Sequence, residues 1–334
     1  MHKLILIGAS AGGLQALTRI TSILPATLDA TILIVMHIGA RRSVLPELLQ
    51  KSCALPVRHA GDSEPLLPGQ VLIAPPDRHL TVTSIDGRPV AQLWHGPKEN
   101  FTRPAIDPLF RSAAAAFDGH VIAVILTGYL DDGTAGLHAV KLCGGYAIVQ
   151  DPQDAQVPDM PSNAINQVAV DEILRLDAIG PALMALATRL KTSGSDTMPA
   201  AEERPTLPEW MEVENRYVRG EAGIEDLQRI GVPSSYTCPE CNGALSKIND
   251  AVPPRYRCHT GHSFTAKILA ELQDQTIETA LWSALRALQE KAGMEKEMLQ
   301  DAESRQNTEE EKGHLQRFEK LQADIDTLHA LLVT

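Results

Sequence analysis

The apolar run Leu4-Ile5-Leu6-Ile7 has no polar interruption and ends directly in Gly8-Ala9-Ser10-Ala11-Gly12-Gly13. Such a run fits a strand buried on both faces, and Leu14, Leu17 and Ile20 after it have the spacing of a helix. Gly8 and Gly12 remove the Cβ atoms that would block a sharp reversal between the two. A strand, a tight turn and a helix with G-x-S-x-G at the apex hold a serine hydroxyl proud of a sheet as a nucleophile. The same turn could cradle a dinucleotide, but close approach of a pyrophosphate needs a glycine where Ser10 stands.

The pattern repeats as far as residue 191. Apolar runs at residues 31–36, 71–74, 121–126 and 146–150 alternate with amphipathic stretches at 14–23, 108–117 and 135–143. Strands alternating with helices build βαβ units, so the expected fold is α/β, a doubly wound and mainly parallel sheet. Residues 79–94 read instead as a β-hairpin turning at Asp86-Gly87, an antiparallel addition to the sheet.

Residues 192–208 carry Ser, Thr, Gly, Pro and acidic residues without apolar periodicity and read as a linker. The expected organisation is a catalytic domain over 1–191, the linker, a small zinc-ribbon-like module over 209–264, and a helical hairpin or coiled-coil tail over 265–334. In the tail, Leu281, Leu285, Leu288 and Ala292 form one stripe and Phe318, Leu321, Ile325, Leu328 and Leu332 another. Asn307-Thr308, with Glu311 three residues beyond Thr308, reads as a turn and capping box between two helices.

Composition narrows the function. A formal charge of −12 over 334 residues argues against a nucleic-acid partner, which would need a basic face. No apolar stretch approaches the length of a membrane span, so membrane insertion is not expected. The N-terminus lacks a signal-peptide layout, and five cysteines, an odd number, fit a reducing compartment. The expected location is cytoplasmic.

A serine hydroxyl is a poor nucleophile until a base takes its proton. His37 ends the run at residues 31–36, on the carboxyl edge of the sheet where Ser10 emerges and where ligands bind in open parallel sheets. The run at 121–126 leads into Thr127-Gly128-Tyr129-Leu130-Asp131-Asp132-Gly133. Either Asp131 or Asp132 could orient the imidazole and stabilise its charged form. Backbone N–H groups of Ala11 and Gly12, at the start of the following helix, are candidate donors to an oxyanion. Such chemistry needs no catalytic cofactor.

Cys238-Pro239-Glu240-Cys241 and Cys258-His259-Thr260-Gly261-His262 are two short-spaced ligand pairs. Structural zinc takes four tetrahedral N or S ligands in this arrangement. The expected set is Cys238, Cys241, Cys258 and His262. His262 is preferred to His259 because three intervening residues allow a closed knuckle. Tyr256 and Phe264 would form the module's small core. A metal-free cysteine cluster and a redox dithiol are the alternatives; no thioredoxin-like βαβ unit surrounds the cysteines.

From Met1 to about residue 190 the chain resembles the catalytic domain of CheB-type chemotaxis protein-glutamate methylesterases. The resemblance rests on Gly8-Ala9-Ser10-Ala11-Gly12-Gly13, Met36-His37, and Leu126-Thr127-Gly128 followed by Asp132-Gly133. It extends to Ala74-Pro75-Pro76-Asp77-Arg78-His79, to residues 103–110, and to the stretch from Asp151-Pro152 to Met160-Pro161. It implies that Asp132, not Asp131, is the third catalytic residue. It also implies hydrolysis of γ-glutamyl methyl esters on chemoreceptor helices, with deamidation of receptor glutamines as a second activity. Arg103 is a candidate substrate-groove residue or a solvated surface charge. Two departures stand out. Ala11 occupies a position where the family has threonine, and Tyr129 and Leu130 stand where it has methionine and glycine, which implies a bulkier pocket wall. The family's usual receiver domain is not expected ahead of Met1, which would leave the control of activity open. The alternative function is a non-catalytic scaffold that binds chemosensory partners. In either case the ribbon and helical tail would dock a partner or self-associate; the alternative is that the apolar stripes only pack on each other.

Overall fold

A computed structural model describes residues 3–117, 120–189 and 207–333. The first half runs β1 (Leu4–Ala9), α1 (Gly13–Thr21), β2 (Thr31–Met36), α2 (Leu45–Gln50), β3 (Val57–His59), β4 (Glu64–Pro65), β5 (Gln70–Ile73), β6 (His79–Ile85) and β7 (Arg88–Trp94). It continues with α3 (Ile106–Phe117), β8 (Val121–Ile125), α4 (Thr134–Leu142), β9 (Tyr146–Gln150), α5 (Asp159–Gln167), β10 (Glu172–Leu174) and α6 (Leu176–Arg189). The expected linker lies, but for its last two residues, outside the described residues. After it come α7 (Glu209–Arg219), α8 (Ile224–Ile230), β11 (Gly231–Thr237), β12 (Ala244–Ile248), β13 (Arg255–Cys258), β14 (Ser263–Thr265), α9 (Ala266–Ser304) and α10 (Thr308–Val333).

The main sheet has seven strands in the order β10-β9-β8-β1-β2-β5-β3, and every pairing in it is parallel. β1 sits centrally, which explains its composition. Leu4 and Leu6 pack into one core with Phe110 of α3 and Leu137 of α4, while Ile5 and Ile7 pack into a second with Leu17 of α1 and Leu183 of α6. With both faces covered, an alternating polar residue would be buried without a partner, so the run is continuous. Each such side chain contributes roughly 1.5–3 kcal/mol by leaving water.

From β1 the chain winds to one side through β2 and β5, then returns to the other side through β8, β9 and β10. The reversal puts a crevice at the carboxyl ends of β1 and β8, where doubly wound sheets bind ligands. The hairpin at residues 79–94 forms as expected, but β6 and β7 pair with β4 in a three-stranded sheet of their own and do not extend the parallel sheet.

Contacts divide the chain into two compact units, residues 1–268 and 269–334. The first therefore holds the four-stranded antiparallel ribbon β11-β12-β13-β14 together with the α/β sheet. Trp210, Met211, Val213 and Tyr217 of α7 are buried in the same core as Phe110 and Leu109 of α3. In the ribbon, Phe264 is fully buried, and Tyr256 packs edge-on against Tyr236 at 5.3 Å. In the second unit, Leu285, Ala292 and Ile325 form a small core flanked by Leu288, Phe318, Leu321 and Leu328, so the two stripes read from the sequence face each other. The cap at the start of α10 is Asn307, whose Oδ1 accepts the Glu310 N–H at 3.4 Å, where a box on Thr308 and Glu311 was expected.

Candidate active site

Ser10 stands on the turn between β1 and α1. The turn needs Gly12, whose φ of +78° is left-handed backbone that disfavours other residues. Thr127, just beyond β8, locks the turn from the side. Its carbonyl accepts the Ser10 N–H at 3.0 Å, and its hydroxyl donates to the Ala11 carbonyl at 2.9 Å. The N–H groups of Ala11 and Gly12 have no acceptor among the described residues.

His37 follows β2, and its N–H donates to the Ala9 carbonyl at 3.3 Å, which fixes the two strand ends side by side. Its ring bridges two groups. Nδ1 lies 3.1 Å from Ser10 Oγ, and Nε2 lies 2.8 Å from Asp132 Oδ2. With the Nε2–H donating a hydrogen bond to the carboxylate, the Nδ1 lone pair is free to accept the serine proton. Ser10, Ala11, Gly12, Gly13, His37 and Gln156 line a cavity of about 660 Å³ open to this side.

Asp132 is 2% exposed and fully engaged. Besides His37 it accepts the Ile106 N–H on Oδ2 at 2.7 Å and an Asn100 amide proton on Oδ1 at 2.7 Å. Burial pushes its carboxyl up, but His37 by hydrogen bond and charge, with these donors, outweighs that and leaves it below its ordinary value. The neighbouring Asp107 goes the other way. Burial, and then the charge on Asp132, push it well above its ordinary value. Asp131 turns away from the imidazole, accepts the Thr265 hydroxyl at 2.7 Å, and is pushed up by burial to about 6.

Arg103 is neither free nor solvated. Its Nε donates to Asp77 Oδ1 at 2.8 Å, it reaches the Gly96 carbonyl, and it lines a smaller cavity of about 220 Å³ that also touches His37, Asp77 and Lys98. Tyr129 is 63% exposed and is not among the residues lining the cavity at Ser10. Leu130, at the position of the family's glycine, has a φ of +63°.

The ligand atoms of Cys238, Cys241, Cys258 and His262 all lie within 4.8 Å of one another, while His259 is outside this group. The Sγ atoms of Cys241 and Cys258 are 3.7 Å apart, and Cys258 Sγ is 3.7 Å from His262 Nδ1. Tetrahedral zinc with bonds of about 2.3 Å places its ligand atoms about 3.7 Å apart, so the donor set and spacing fit that ion.

Asn100 and Thr265 reach the site without having been singled out in the sequence. Asn100 lies in a loop whose only signal is its closeness to the Arg103-Pro104 stretch. Thr265 comes from the ribbon, and nothing local links it to Asp131.

Residues 5–183 match the family model of the CheB methylesterase domain. The crystal structure of the Thermotoga maritima CheB methylesterase catalytic domain is similar to this chain with a TM-score of 0.54 and 35% identity, covering 56% of this chain and 99% of that one. A protein-glutamate methylesterase/protein-glutamine glutaminase of Azospirillum brasilense is 39% identical over 187 residues, which is 55% of this chain and 48% of the relative. A relative in Leptospira interrogans is 38% identical over 186 residues, 55% of this chain and 95% of its own length. No described helix is long and apolar enough to cross a membrane. By the matched domain, the shared fold and these relatives, the chain belongs to the CheB methylesterase family and is a carboxylic-ester hydrolase.

Proposed function

We propose that the chain demethylates γ-glutamyl methyl esters on chemoreceptor helices, and deamidates glutamines there, with Ser10 as nucleophile, His37 as base and Asp132 as the carboxylate that orients it. The supporting observation is the His37 ring, in hydrogen-bond reach of Ser10 Oγ at 3.1 Å and of Asp132 at 2.8 Å. Ser10 Oγ attacks the ester carbonyl while its proton passes to His37 Nδ1. The imidazolium is stabilised by the ionised Asp132 beside it. The developing oxyanion meets the N–H groups of Ala11 and Gly12 at the start of α1, a donor of this kind contributing about 3–4 kcal/mol to the transition state. His37 then protonates the departing methoxide, and methanol leaves an acyl-serine. Water attacks that ester, its proton goes to His37, and the glutamate carboxylate and Ser10 are released. With glutamine as substrate, ammonia takes the place of methanol.

The Cys238, Cys241, Cys258 and His262 group fits a structural zinc ion, which would hold the ribbon closed and take no part in the hydrolysis. The test of the esterase reading is methanol release from methylated receptor by the full chain. Wild type should release it in proportion to enzyme, and Ser10→Ala and His37→Ala should not; equal release by wild type and Ser10→Ala would sink the reading.

A further inference from the structure

The ribbon is wired into the catalytic loop. The segment from Lys98 to Asn100 makes a parallel bridge to β14: the Asn100 N–H donates to the Ser263 carbonyl at 2.8 Å, and the Ser263 N–H to the Lys98 carbonyl at 3.3 Å. Glu240, between the two cysteines of the first knuckle, pairs with Lys98 at 3.0 Å. Beneath the segment, Glu99 pairs with Arg257 of β13 at 2.9 Å and with Arg111 of α3 at 2.9 Å, all three side chains nearly inaccessible to water.

This stitching ends at the triad carboxylate. The Thr265 N–H donates to Asn100 Oδ1 at 3.2 Å. Only the oxygen of an amide accepts a proton, so this one bond fixes which way the Asn100 side chain faces. Its NH₂ group is thereby turned to Asp132 Oδ1 at 2.7 Å and to Asp107 Oδ2 at 2.8 Å. The Thr265 hydroxyl also holds Asp131, the residue next to Asp132, at 2.7 Å. Two of the four metal-fitting side chains, Cys258 and His262, flank the turn that joins β13 to β14, and His262 directly precedes the strand that carries Ser263 and Thr265.

We infer that the ribbon is a positioning element of the esterase site: Thr265 on β14 sets the amide of Asn100, Asn100 sets Asp132, and a closed Cys238–Cys241–Cys258–His262 cluster keeps that relay in place. Asn100 and Thr265 touch no reacting atom and are positioning residues. The inference rests on the Ser10–His37–Asp132 reading of the site. It makes the ribbon's metal occupancy a control on turnover, exerted on the carboxylate and not on the substrate cleft.

The test uses the full chain, zinc-loaded, chelated, and chelated then reloaded with zinc. Chelation should lower kcat on the order of 10–100-fold, as loss of groups that orient catalytic ligands does, with KM nearly unchanged and full recovery on reloading. Proton NMR gives a readout apart from turnover. The far-downfield signal of the His37 Nε2 proton bonded to Asp132 should broaden or vanish in the chelated protein and return with zinc. Zinc-loaded Asn100→Gly, which suits the left-handed backbone at φ +53° but lacks the amide, should lose both kcat and that signal. Thr265→Val keeps the N–H to Asn100 and loses only the hydroxyl on Asp131, so it should lose less of each than Asn100→Gly. If chelation unfolds the chain, the loaded Asn100→Gly variant decides alone. Wild-type kcat in Asn100→Gly, or in a folded chelated chain, overturns the inference when Ser10→Ala is inactive. An active Ser10→Ala would instead overturn the site reading beneath it.

Discussion

Arg257, on the third strand of the ribbon, lies 2.9 Å from Glu99, whose neighbour Asn100 donates to Asp132. The pair belongs to a larger buried cluster. Glu214 of α7 holds Arg255 at 2.9 Å and Arg257 at 3.2 Å, and Arg111 of α3 contacts both glutamates. Trp210 and Tyr217 of α7 stack over Arg255 and Arg257. Each carboxylate answers more than one guanidinium, and the cluster spans the α/β core, α7 and the ribbon.

Removing one partner from such a cluster strands the opposite charges in a low dielectric. Glu99→Ala and Glu214→Ala should each destabilise the chain by about 3–5 kcal/mol in urea unfolding. The pH dependence has a definite sign. For both glutamates burial acts upward, but the arginine charges outweigh it and leave them below the ordinary 4.5. Their stabilisation is therefore complete above about pH 4.5 and is lost as pH falls below it. The acid limb of the stability curve should flatten in both variants; an unchanged limb would show that the cluster does not govern acid unfolding.

Asp131 should act in the opposite sense. Burial raises its carboxyl from 3.8 to about 6, so the folded state favours the protonated form. Its contribution is most favourable below pH 3.8 and is lost as pH rises through 6. At neutral pH the buried charge costs up to about 3 kcal/mol, from two pKa units at roughly 1.4 kcal/mol each. Asp131→Asn keeps an acceptor for the Thr265 hydroxyl and removes that charge. It should raise unfolding free energy at pH 8 and change it little at pH 4, and the difference between the two pH values is the measurement.

The contrast between these side chains shows what a sequence exposes. Parallel strands covered on both faces must be continuous apolar runs, so β1, β2, β5, β8 and β9 announce themselves. β3 and β10 are three-residue strands at the sheet edges, too short to show a period. Ser10, His37 and Asp132 lie at or beyond the ends of legible strands, and sheet topology alone brings such ends together. Nothing in the sequence singles out Glu99, Arg111, Glu214 and Arg257, because burial of a charge depends on partners up to 158 positions away. The Asn100 and Thr265 contact joins residues 165 apart, and no spacing rule reaches that far.

Asp132→Asn tests the electrostatic half of the proposed triad. The amide fills the same space, but its single oxygen can accept from Asn100 or from Ile106 and not from both, so urea unfolding must show the variant folded before its rate is read. It can no longer stabilise an imidazolium, and it turns a donor towards Nε2 or forces the wrong tautomer on His37. kcat for methanol release should fall on the order of 10⁴-fold, as in serine hydrolases altered at the equivalent role. A loss below tenfold would remove Asp132 from the mechanism and leave it a structural acceptor.

Gly128→Ala tests how tightly the Ser10 turn is packed. A Cβ at Gly128 would lie 2.7 Å from Ser10 Cβ and 2.1 Å from Met160 Sδ. The methionine side chain is flexible and can swing aside. Ser10 Cβ cannot, because the serine N–H is tied to the Thr127 carbonyl and the Ala11 carbonyl to the Thr127 hydroxyl. The strain therefore falls on the Ser10 Oγ to His37 Nδ1 contact, already at 3.1 Å. A displacement of about 1 Å in a reacting group costs roughly 10²-fold in rate. Gly128→Ala should thus lower kcat by about that factor, while overpacking costs only about 1–3 kcal/mol of stability. A variant that unfolds readily yet keeps wild-type kcat would show that Met160, and not Ser10, yields to the added methyl.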